Sequence, residues 1–193
     1  MNVYKGGVLL KRRLGLLMIL SIILILTGCG QKKNQQPVSG EKIEKVSGPI
    51  LNAEGNKIGE VGFVETADGV TIDILAEGLT PGKKGIHIHE TGECMAPDFK
   101  SAGNHLNPHS KEHGFENPKG YHLGDLPNIE VDPDGTVNVS LTLNEITLQP
   151  GAENTILDKD GSSIVIHENE DDYKTDPAGD SGARIACAVI QKK

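Results

Sequence analysis

The fold of this chain is decided by a stretch that reads Ile58-Gly-Glu-Val-Gly-Phe-Val-Glu-Thr66, Ala67-Asp-Gly69 and Val70-Thr-Ile-Asp-Ile-Leu-Ala76. Its two outer segments are rich in Val, Ile and Thr, and an Asp-Gly turn signal separates them. This pattern is typical of two short antiparallel strands joined by a turn.

The same pattern recurs along the chain. Further strands are predicted around His87 and at residues 128–131, 136–143, 163–167 and 183–190, with turn signals at residues 79–82, 132–135 and 158–161. No long helical period interrupts them. We therefore predict an all-β fold, an antiparallel Greek-key β-sandwich or barrel of immunoglobulin-like architecture with long loops. Aromatic residues make up only 3% of the chain and there is no Trp, so the core must be aliphatic.

Histidines are the most informative residues for function. The run Gly85-Ile-His-Ile-His-Glu90 places His87 and His89 on one face of a strand and its isoleucines on the other. A polar stretch rich in Gly, Pro and Asn, residues 92–125, follows without helical or strand period. It carries His105, His113 and His122-x-x-Asp125, and His167 follows far downstream. These spacings suit two adjacent metal ions, whereas His109 fits no ligand position and is assigned to solvent.

The N-terminus has the pattern of an export signal. Residues 1–28 carry four basic residues and no acid, and residues 14–26 form an apolar run that is short for a membrane span. The run ends in Leu26-Thr-Gly-Cys29, which is similar to the lipobox of bacterial lipoproteins. We expect Cys29 to carry lipid and to anchor an exported protein on the outer face of the cell membrane, or on the periplasmic side. An uncleaved anchor with an idle Cys29 is the alternative.

Composition divides the rest of the chain. Residues 29–45 are predicted to form a lipidated flexible tether, and residues 46–193 are long enough for one domain with its own core. The net charge of −8 becomes −12 once the four positive charges of residues 1–28 are removed. An acidic surface argues against nucleic acid as a partner. Oligomeric state is not predicted.

Two cysteines remain after Cys29 is assigned to lipid. In an oxidising compartment Cys94 and Cys187 could form a disulfide that closes a long loop, or they could be two buried free thiols. A bridge would tie the base of the histidine-bearing loop to the C-terminal strand.

Several motifs together resemble copper,zinc superoxide dismutase of the bacterial lipoprotein type. They are Gly85-Ile-His-Ile-His-Glu90, Ser101-Ala-Gly-Asn-His-Leu-Asn-Pro108, Lys111-Glu-His-Gly114, His122-Leu-Gly-Asp-Leu126, Ile166-His-Glu168 with Asp171-Asp172, and Gly182-Ala-Arg-Ile-Ala-Cys187. The resemblance covers essentially the whole region after the tether. Singly, each motif has a structural explanation: an ordinary strand pair for His87 and His89, a loop cap for His122 and Asp125, a surface charge for Arg184.

The resemblance implies a role for each matching residue. The copper ligands would be His87, His89, His105 and His167, and the zinc ligands His105, His113, His122 and Asp125, with His105 bridging the metals. Asp171 would hydrogen-bond one histidine of each metal, Arg184 would guide the superoxide anion to copper, and Cys94 and Cys187 would form the intrasubunit disulfide. The implied activity is dismutation of superoxide by a redox-cycling copper beside a structural zinc, as protection against extracellular superoxide.

Two other functions are weighed against this one. A lipoprotein that stores or buffers copper or zinc with little turnover would predict a blocked copper face or an incomplete copper set, and all four candidate ligands are present. A β-sandwich adhesion or interaction module would not need six histidines at these spacings.

Two departures from the family pattern bear on mechanism. Asn104 precedes His105, where many relatives have proline or glycine. The loop between His167 and Arg184 is acidic, and it should repel an anion from its side; its acids are Glu168, Glu170, Asp171, Asp172, Asp176 and Asp180. Lys83, Lys84 and Lys100 could offer local attraction from other loops, although the sequence does not place them. Guidance should depend mainly on Arg184 and the metal charges.

Overall fold

The computed structural model describes residues 45–190. The predicted export signal, Cys29, almost all of the predicted tether and the last three residues lie outside the described residues. Among residues 45–190, no helix has the length and apolar character needed to cross a membrane.

Nine strands and one short 3-10 helix, Lys100–Ala102, make up the regular structure of the described residues. The strands are β1 (Lys45–Asn52), β2 (Lys57–Thr66), β3 (Gly69–Ala76), β4 (Gly82–Lys84), β5 (Ile86–His89), β6 (Ile129–Val131), β7 (Val137–Leu143), β8 (Ser162–His167) and β9 (Arg184–Ile190). The predicted strands after Ile58 are all present. The sequence pattern did not predict β1, whose Gly48 and Pro49 are unfavourable in strands, or the three-residue β4.

All strand pairing is antiparallel. Seven strands form one sheet in the order β5-β8-β9-β1-β2-β3-β7, and β4 pairs with β6 in a small second sheet. The small sheet links the two edge strands of the large sheet, β5 and β7, and so closes the barrel. Gly85 alone separates β4 from β5, and β6 leads into β7 through a turn in which the Asp132 amide donates to the Thr136 carbonyl (2.8 Å). The prediction of an all-β Greek-key barrel is confirmed.

Aliphatic side chains fill the barrel, as predicted from the scarcity of aromatic residues. The fully buried members include Ile50, Ile72, Ile74, Ile86, Ile88, Leu126, Ile129, Leu148, Ile156 and Ile166, with Phe63 the one aromatic ring among them. Within β5 the isoleucines join this core, so that His87 and His89 point to the opposite face. The alternation expected from the sequence is therefore what orients both imidazoles.

A second, smaller apolar cluster lies under the disulfide. Phe99, Ala102, Val165 and Cys187 are fully buried together, with Cys94 packed against them. Cys94 and Cys187 are bonded, with 5.7 Å between their Cα atoms, so the predicted disulfide is confirmed. It ties the histidine-bearing loop to β9.

The loop of residues 92–125 is held mainly by the edge of β5. The Ile88 amide donates to the Gly124 carbonyl, and the Leu106 amide donates to the Ile88 carbonyl, both at 2.8 Å. Isolated bridges pair His87 with Asp125 and His89 with His105. These contacts bring the loop histidines beside the strand histidines.

Candidate metal centre

Four buried imidazoles converge at the end of β5. Their potential ligand atoms lie within 4.8 Å of one another. Each ring has one buried nitrogen without a hydrogen-bond partner among residues 45–190, and these atoms are His87 Nδ1, His89 Nε2, His105 Nε2 and His167 Nε2. Because buried polar atoms are normally hydrogen-bonded, four unpartnered nitrogens at one point are what a metal site requires. We call these residues the four-histidine group.

The remaining nitrogens of three of these rings are fixed by the surrounding chain. His87 Nε2 contacts Asp171 Oδ2 at 2.8 Å, His89 Nδ1 contacts the Gly103 carbonyl at 3.0 Å, and His167 Nδ1 contacts the Gly182 carbonyl at 3.4 Å. An oxygen partner requires an N–H at that position, so the lone pair is left on the opposite nitrogen.

Burial keeps the four-histidine group neutral. It lowers the pKa of His89 to about 2, of His167 to about 3 and of His105 to about 4, and it lowers the pKa of His87 as well. Neutral imidazole is the form that binds metals, so the ligand form predominates at neutral pH.

A second group is built around one carboxylate oxygen. Asp125 Oδ1 lies 2.9 Å from His105 Nδ1, 3.1 Å from His113 Nδ1 and 3.2 Å from His122 Nδ1. The Nδ1 atoms of His105 and His122 are 3.4 Å apart. Ligands at 2.0–2.1 Å from a tetrahedral zinc would be separated by about 3.3–3.4 Å, so three nitrogens and one oxygen fit that ion. We call these four residues the Asp125 group.

His87 also lies within 4.8 Å of part of the Asp125 group. Its Nε2 is bound to Asp171 and its Nδ1 belongs to the unpartnered set, so we assign it to the four-histidine group. His105 alone presents one nitrogen to each group.

Asp125 is held rigidly by the backbone. Its Oδ2 accepts hydrogen bonds from the Gly114 amide (2.9 Å) and the His122 amide (3.0 Å), which leaves Oδ1 for the three histidines. Burial alone would raise its pKa, but the hydrogen bonds from the histidines and from Gly114 hold the pKa of Asp125 well below its usual range. The carboxylate is therefore ionised.

Asp171 joins the two groups. Its Oδ2 accepts from His87 Nε2 and its Oδ1 from His113 Nε2 (3.0 Å). Asn128, which the sequence pattern did not single out, bonds the Asp171 backbone on both sides: its Oδ1 accepts from the amide (2.8 Å) and its Nδ2 donates to the carbonyl (2.9 Å). That Asn128 holds the backbone of Asp171 becomes visible only in the three-dimensional structure.

A cavity of about 550 Å³ opens beside the four-histidine group. His89, His105, His167 and Arg184 are among its lining residues. Arg184 is held in place by the Phe99 carbonyl at Nη1 (2.8 Å) and the Gly103 carbonyl at Nη2 (2.7 Å). Arg184 in β9 is also the register partner of His167 in the neighbouring strand β8. The cavity wall therefore carries a fixed positive charge next to the histidines.

The three lysines that could attract the substrate, which the sequence alone could not place, do not line this cavity. Lys83 pairs with Glu170 (3.6 Å), Lys84 is buried with its Nζ on the Glu168 carbonyl (2.8 Å), and Lys100 pairs with Asp98 (2.7 Å). None of the three lines the cavity, whereas Lys111 does. Lys111 is exposed and has no ion-pair partner among the described residues. It lies in a loop without periodicity, so its position could not be read from the sequence.

The acidic loop faces the cavity less than its composition suggests. Of its six acids, only Asp176 lines the cavity, and it also accepts a hydrogen bond from the His113 amide (2.7 Å). Asp171 is buried between two histidines. The other acid on the cavity wall is Glu90, from the end of β5. The seventh histidine, His109, belongs to neither group and its side chain is 47% exposed.

Comparisons with known proteins agree with this geometry. The model of the copper/zinc superoxide dismutase family matches residues 57–190. The superoxide dismutase-like protein YojM of Bacillus subtilis is 46% identical over 188 residues, which cover 92% of this chain and 95% of that protein. The copper-zinc superoxide dismutase 2 of Aquifex aeolicus is 47% identical over 148 residues, covering 76% of this chain and 86% of the relative.

Solved structures give the same result. A double variant of a superoxide dismutase-like protein from Bacillus subtilis, with a tyrosine and a proline replaced by histidine, aligns with a TM-score of 0.74 and 49% identity, covering 76% of this chain and 97% of that one. The copper/zinc superoxide dismutase of Brucella abortus aligns with a TM-score of 0.61 and 30% identity, covering 76% and 99%.

Fold and site together define an antiparallel β-barrel metalloprotein with two adjacent histidine-rich metal groups and an arginine-lined cavity. The chain belongs to the copper/zinc superoxide dismutase family. Its enzyme class is superoxide dismutase, its metals are copper and zinc, and its substrate is superoxide.

Proposed function

We propose that this chain dismutates superoxide to dioxygen and hydrogen peroxide at the four-histidine group and that the Asp125 group holds zinc for structure. The observation that carries the proposal is the convergence of four neutral, unpartnered histidine nitrogens beside a cavity that also contains Arg184. Four imidazoles suit a redox-active copper, and three nitrogens with one carboxylate oxygen suit zinc.

The residues of the chain supply binding, orientation and a proton site. When bound by the four histidines, copper would supply the one-electron redox chemistry that dismutation requires. His105 Nε2 faces this group, and when that nitrogen is not bound to the metal it can hold a proton for the reduced product. Asp125, through His105 Nδ1, fixes the orientation of that ring.

Arg184 provides the attraction for the substrate. Both of its terminal nitrogens are fixed by backbone carbonyls, so its charge is held at the cavity wall and little reorganisation is needed when the anion arrives. A cavity of about 550 Å³ is far larger than a diatomic anion. Selection of superoxide therefore depends on charge and metal access and not on shape.

The alternative is a metal-holding protein with little turnover. The two histidines introduced into the Bacillus subtilis relative are 16 residues apart, as are His89 and His105 in this chain. We align the replaced tyrosine and proline with these two members of the four-histidine group. On that alignment the relative naturally lacks two imidazoles that this chain has, which favours turnover here.

The test is superoxide dismutation by the chain loaded with one copper and one zinc. We expect a rate near the diffusion limit, on the order of 10⁸–10⁹ M⁻¹s⁻¹. The rate should fall to background in His89→Ala and be retained in His109→Ala, which removes an exposed histidine outside both groups. Stoichiometric metal binding with negligible turnover would instead support the storage function.

We propose in addition that the protein is exported and tethered by lipid on Cys29, where it removes superoxide that arrives from outside the cell. In this proposal residues 1–28 are the signal peptide, residues 29–45 the tether and residues 46–193 the catalytic domain. The Cys94–Cys187 disulfide supports an oxidising compartment. Labelled fatty acid should enter the chain in a bacterial host and be absent from Cys29→Ser. An unlabelled natural chain would contradict the tether.

A further inference from the structure

Glu90 and Asn104 make an unusually complete contact beside the four-histidine group. The Glu90 amide donates to the Asn104 carbonyl at 2.9 Å. In return, Glu90 Oε1 accepts from the Asn104 amide (2.9 Å) and from Asn104 Nδ2 (3.1 Å). Glu90 follows His89 in the chain and Asn104 precedes His105, so three hydrogen bonds connect the neighbours of two proposed copper ligands.

The residue between this contact and Arg184 is Gly103. Its carbonyl accepts from His89 Nδ1 (3.0 Å) and from Arg184 Nη2 (2.7 Å). A Cβ built on Gly103 would come within 2.8 Å of the Glu90 carboxylate, so the two residues are packed directly together. A displacement of the Glu90 side chain would therefore shift the Gly103 carbonyl, which orients both His89 and Arg184.

We propose that Glu90 and Asn104 form a positioning pair that holds His89, His105 and Arg184 in a single arrangement. The inference rests on the proposed function. It also explains two features that dismutation does not use: Asn104 before His105, and a carboxylate on the wall of a cavity that must admit an anion. Glu90 repels the substrate, but it supplies an acceptor for two N–H groups of the loop.

Charge and contact can be separated by substitution. Glu90→Gln removes the negative charge and keeps an oxygen acceptor for the Asn104 donors. Glu90→Ala removes the acceptor as well. Asn104→Pro removes both N–H donors, the backbone amide and Nδ2, and leaves the Glu90 acceptor in place. It therefore tests the same contact through its other residue.

The experiment uses the full-length chain and its variants loaded with copper and zinc. The readouts are the electron paramagnetic resonance spectrum of Cu²⁺, the copper affinity and the dismutation rate at several ionic strengths. The spectrum of Co²⁺ in the Asp125 group shows whether His105, which belongs to both groups, moves as well. The side chains of Glu90 and Asn104 bond each other and not His113, His122 or Asp125 within the described part of the chain.

We expect Glu90→Ala and Asn104→Pro to change the copper spectrum and to weaken copper binding about tenfold, as loss of a contact behind metal ligands commonly does. The double variant should be no worse than either single one, because both remove the same contact. Glu90→Gln should keep the natural spectrum and affinity and react at least as fast at low salt.

Natural copper spectra and affinities in Glu90→Ala and Asn104→Pro would overturn this inference alone, provided that the unsubstituted chain binds copper and turns over superoxide. A Glu90→Gln variant as impaired as Glu90→Ala would also overturn it, since the charge and not the contact would then matter. An unsubstituted chain without copper at the four-histidine group would overturn the proposed function and this inference together.

Discussion

His105 is the residue on which both metal groups depend. It presents Nδ1 to Asp125 at 2.9 Å and leaves Nε2 unpartnered among the described residues on the side of His87, His89 and His167. Its position is set from both sides, by Asp125 in the loop and by the Glu90–Asn104 contact at the end of β5. The sequence placed His105 in both ligand sets only through the family resemblance, because no local pattern predicts which nitrogen faces which partner.

Lys111 should contribute to the attraction of superoxide. It lines the cavity, it is exposed, and its charge is not neutralised by an ion pair among the described residues. We expect Lys111→Glu to lower the dismutation rate several-fold at low salt and to weaken the dependence of that rate on ionic strength. We expect Arg184→Glu to lower the rate by about tenfold or more. Lys83→Glu is the matched control, because Lys83 lies outside the cavity wall. Equal salt dependence in the Lys111 and Lys83 variants would remove Lys111 from the guidance of substrate.

Stability of the metal-free protein should be greatest near pH 6.5. The folded chain lowers the pKa of His89, His105 and His167 to about 2, 4 and 3, so below pH 6.5 the unfolded chain binds more protons and stability falls as pH falls. Each histidine contributes up to about 1.4 kcal/mol per pH unit in that window.

The opposite sign applies to His113. Burial alone would lower its pKa, but its hydrogen bonds to Asp125 and Asp171 raise the pKa of His113 to about 9. The folded chain therefore binds more protons between pH 6.5 and 9, and stability falls as pH rises. Urea unfolding in the presence of a chelator at pH 5, 6.5 and 8.5 measures both slopes. A free energy of unfolding that is the same at pH 5 and pH 6.5 would contradict the neutral state of the buried histidines.

At the scale of elements, β5 and the loop of residues 167–184 show what a sequence can and cannot predict. The alternation of Ile and His in β5 predicted correctly that one face is core and the other carries imidazoles, because strand geometry alone decides it. The acidic loop was expected to repel the substrate, yet most of its acids do not line the cavity. Loop side chains are oriented by long-range contacts, such as those of Asn128 with Asp171, which leave no periodic signal.

Gly179 should be required for metal binding. It has φ of +64°, and a Cβ there would overlap Asp171 Oδ1 and lie 2.8 Å from His113 Nε2. We expect Gly179→Ala to displace Asp171 and to weaken the binding of both metals by about tenfold or more. Competition with a chelator measures this effect for each metal.

Gly55→Ala is the matched control for that substitution. Gly55 has φ of +78°, and no atom lies within 4 Å of the position that a Cβ would take, so the variant suffers only the backbone strain of about 1 kcal/mol. Equal metal affinities in the two variants would show that metal binding does not need the absence of a side chain at Gly179 beside Asp171.

At the scale of the whole molecule, the disulfide joins the loop that carries the metal ligands to the barrel. It connects residues 93 positions apart and buries Cys187 with Phe99, Ala102 and Val165. In the loop-entropy description a closure of this length stabilises the fold by about 4–5 kcal/mol. We expect Cys94→Ala/Cys187→Ala to lose stability of that order in urea unfolding. A loss below about 1 kcal/mol would mean that the metals and the β5 edge order the loop without the bridge.

The barrel as a whole was predictable because its strands are short, rich in β-branched residues and separated by turn signals. The parts that were not predictable are those in which tertiary contacts outweigh local preference. They are β1, which forms despite Gly48 and Pro49, and the cavity wall, where Glu90, Lys111 and Arg184 come from three separate segments. The candidate ligands were found because six of the seven histidines are clustered at spacings that suit metals. The family resemblance divided them between two ions, and the three-dimensional arrangement shows which nitrogen of each ring faces which group.

The most direct test of the two-metal assignment is anomalous X-ray diffraction from crystals of the chain loaded with one copper and one zinc, measured at the absorption edges of both metals. We predict a copper peak bonded to His87 Nδ1 and to the Nε2 atoms of His89, His105 and His167. We also predict a separate zinc peak about 2.0–2.2 Å from Asp125 Oδ1 and from the Nδ1 atoms of His105, His113 and His122. Copper absent from the four-histidine group, or zinc in both groups with copper elsewhere, would contradict the assignment.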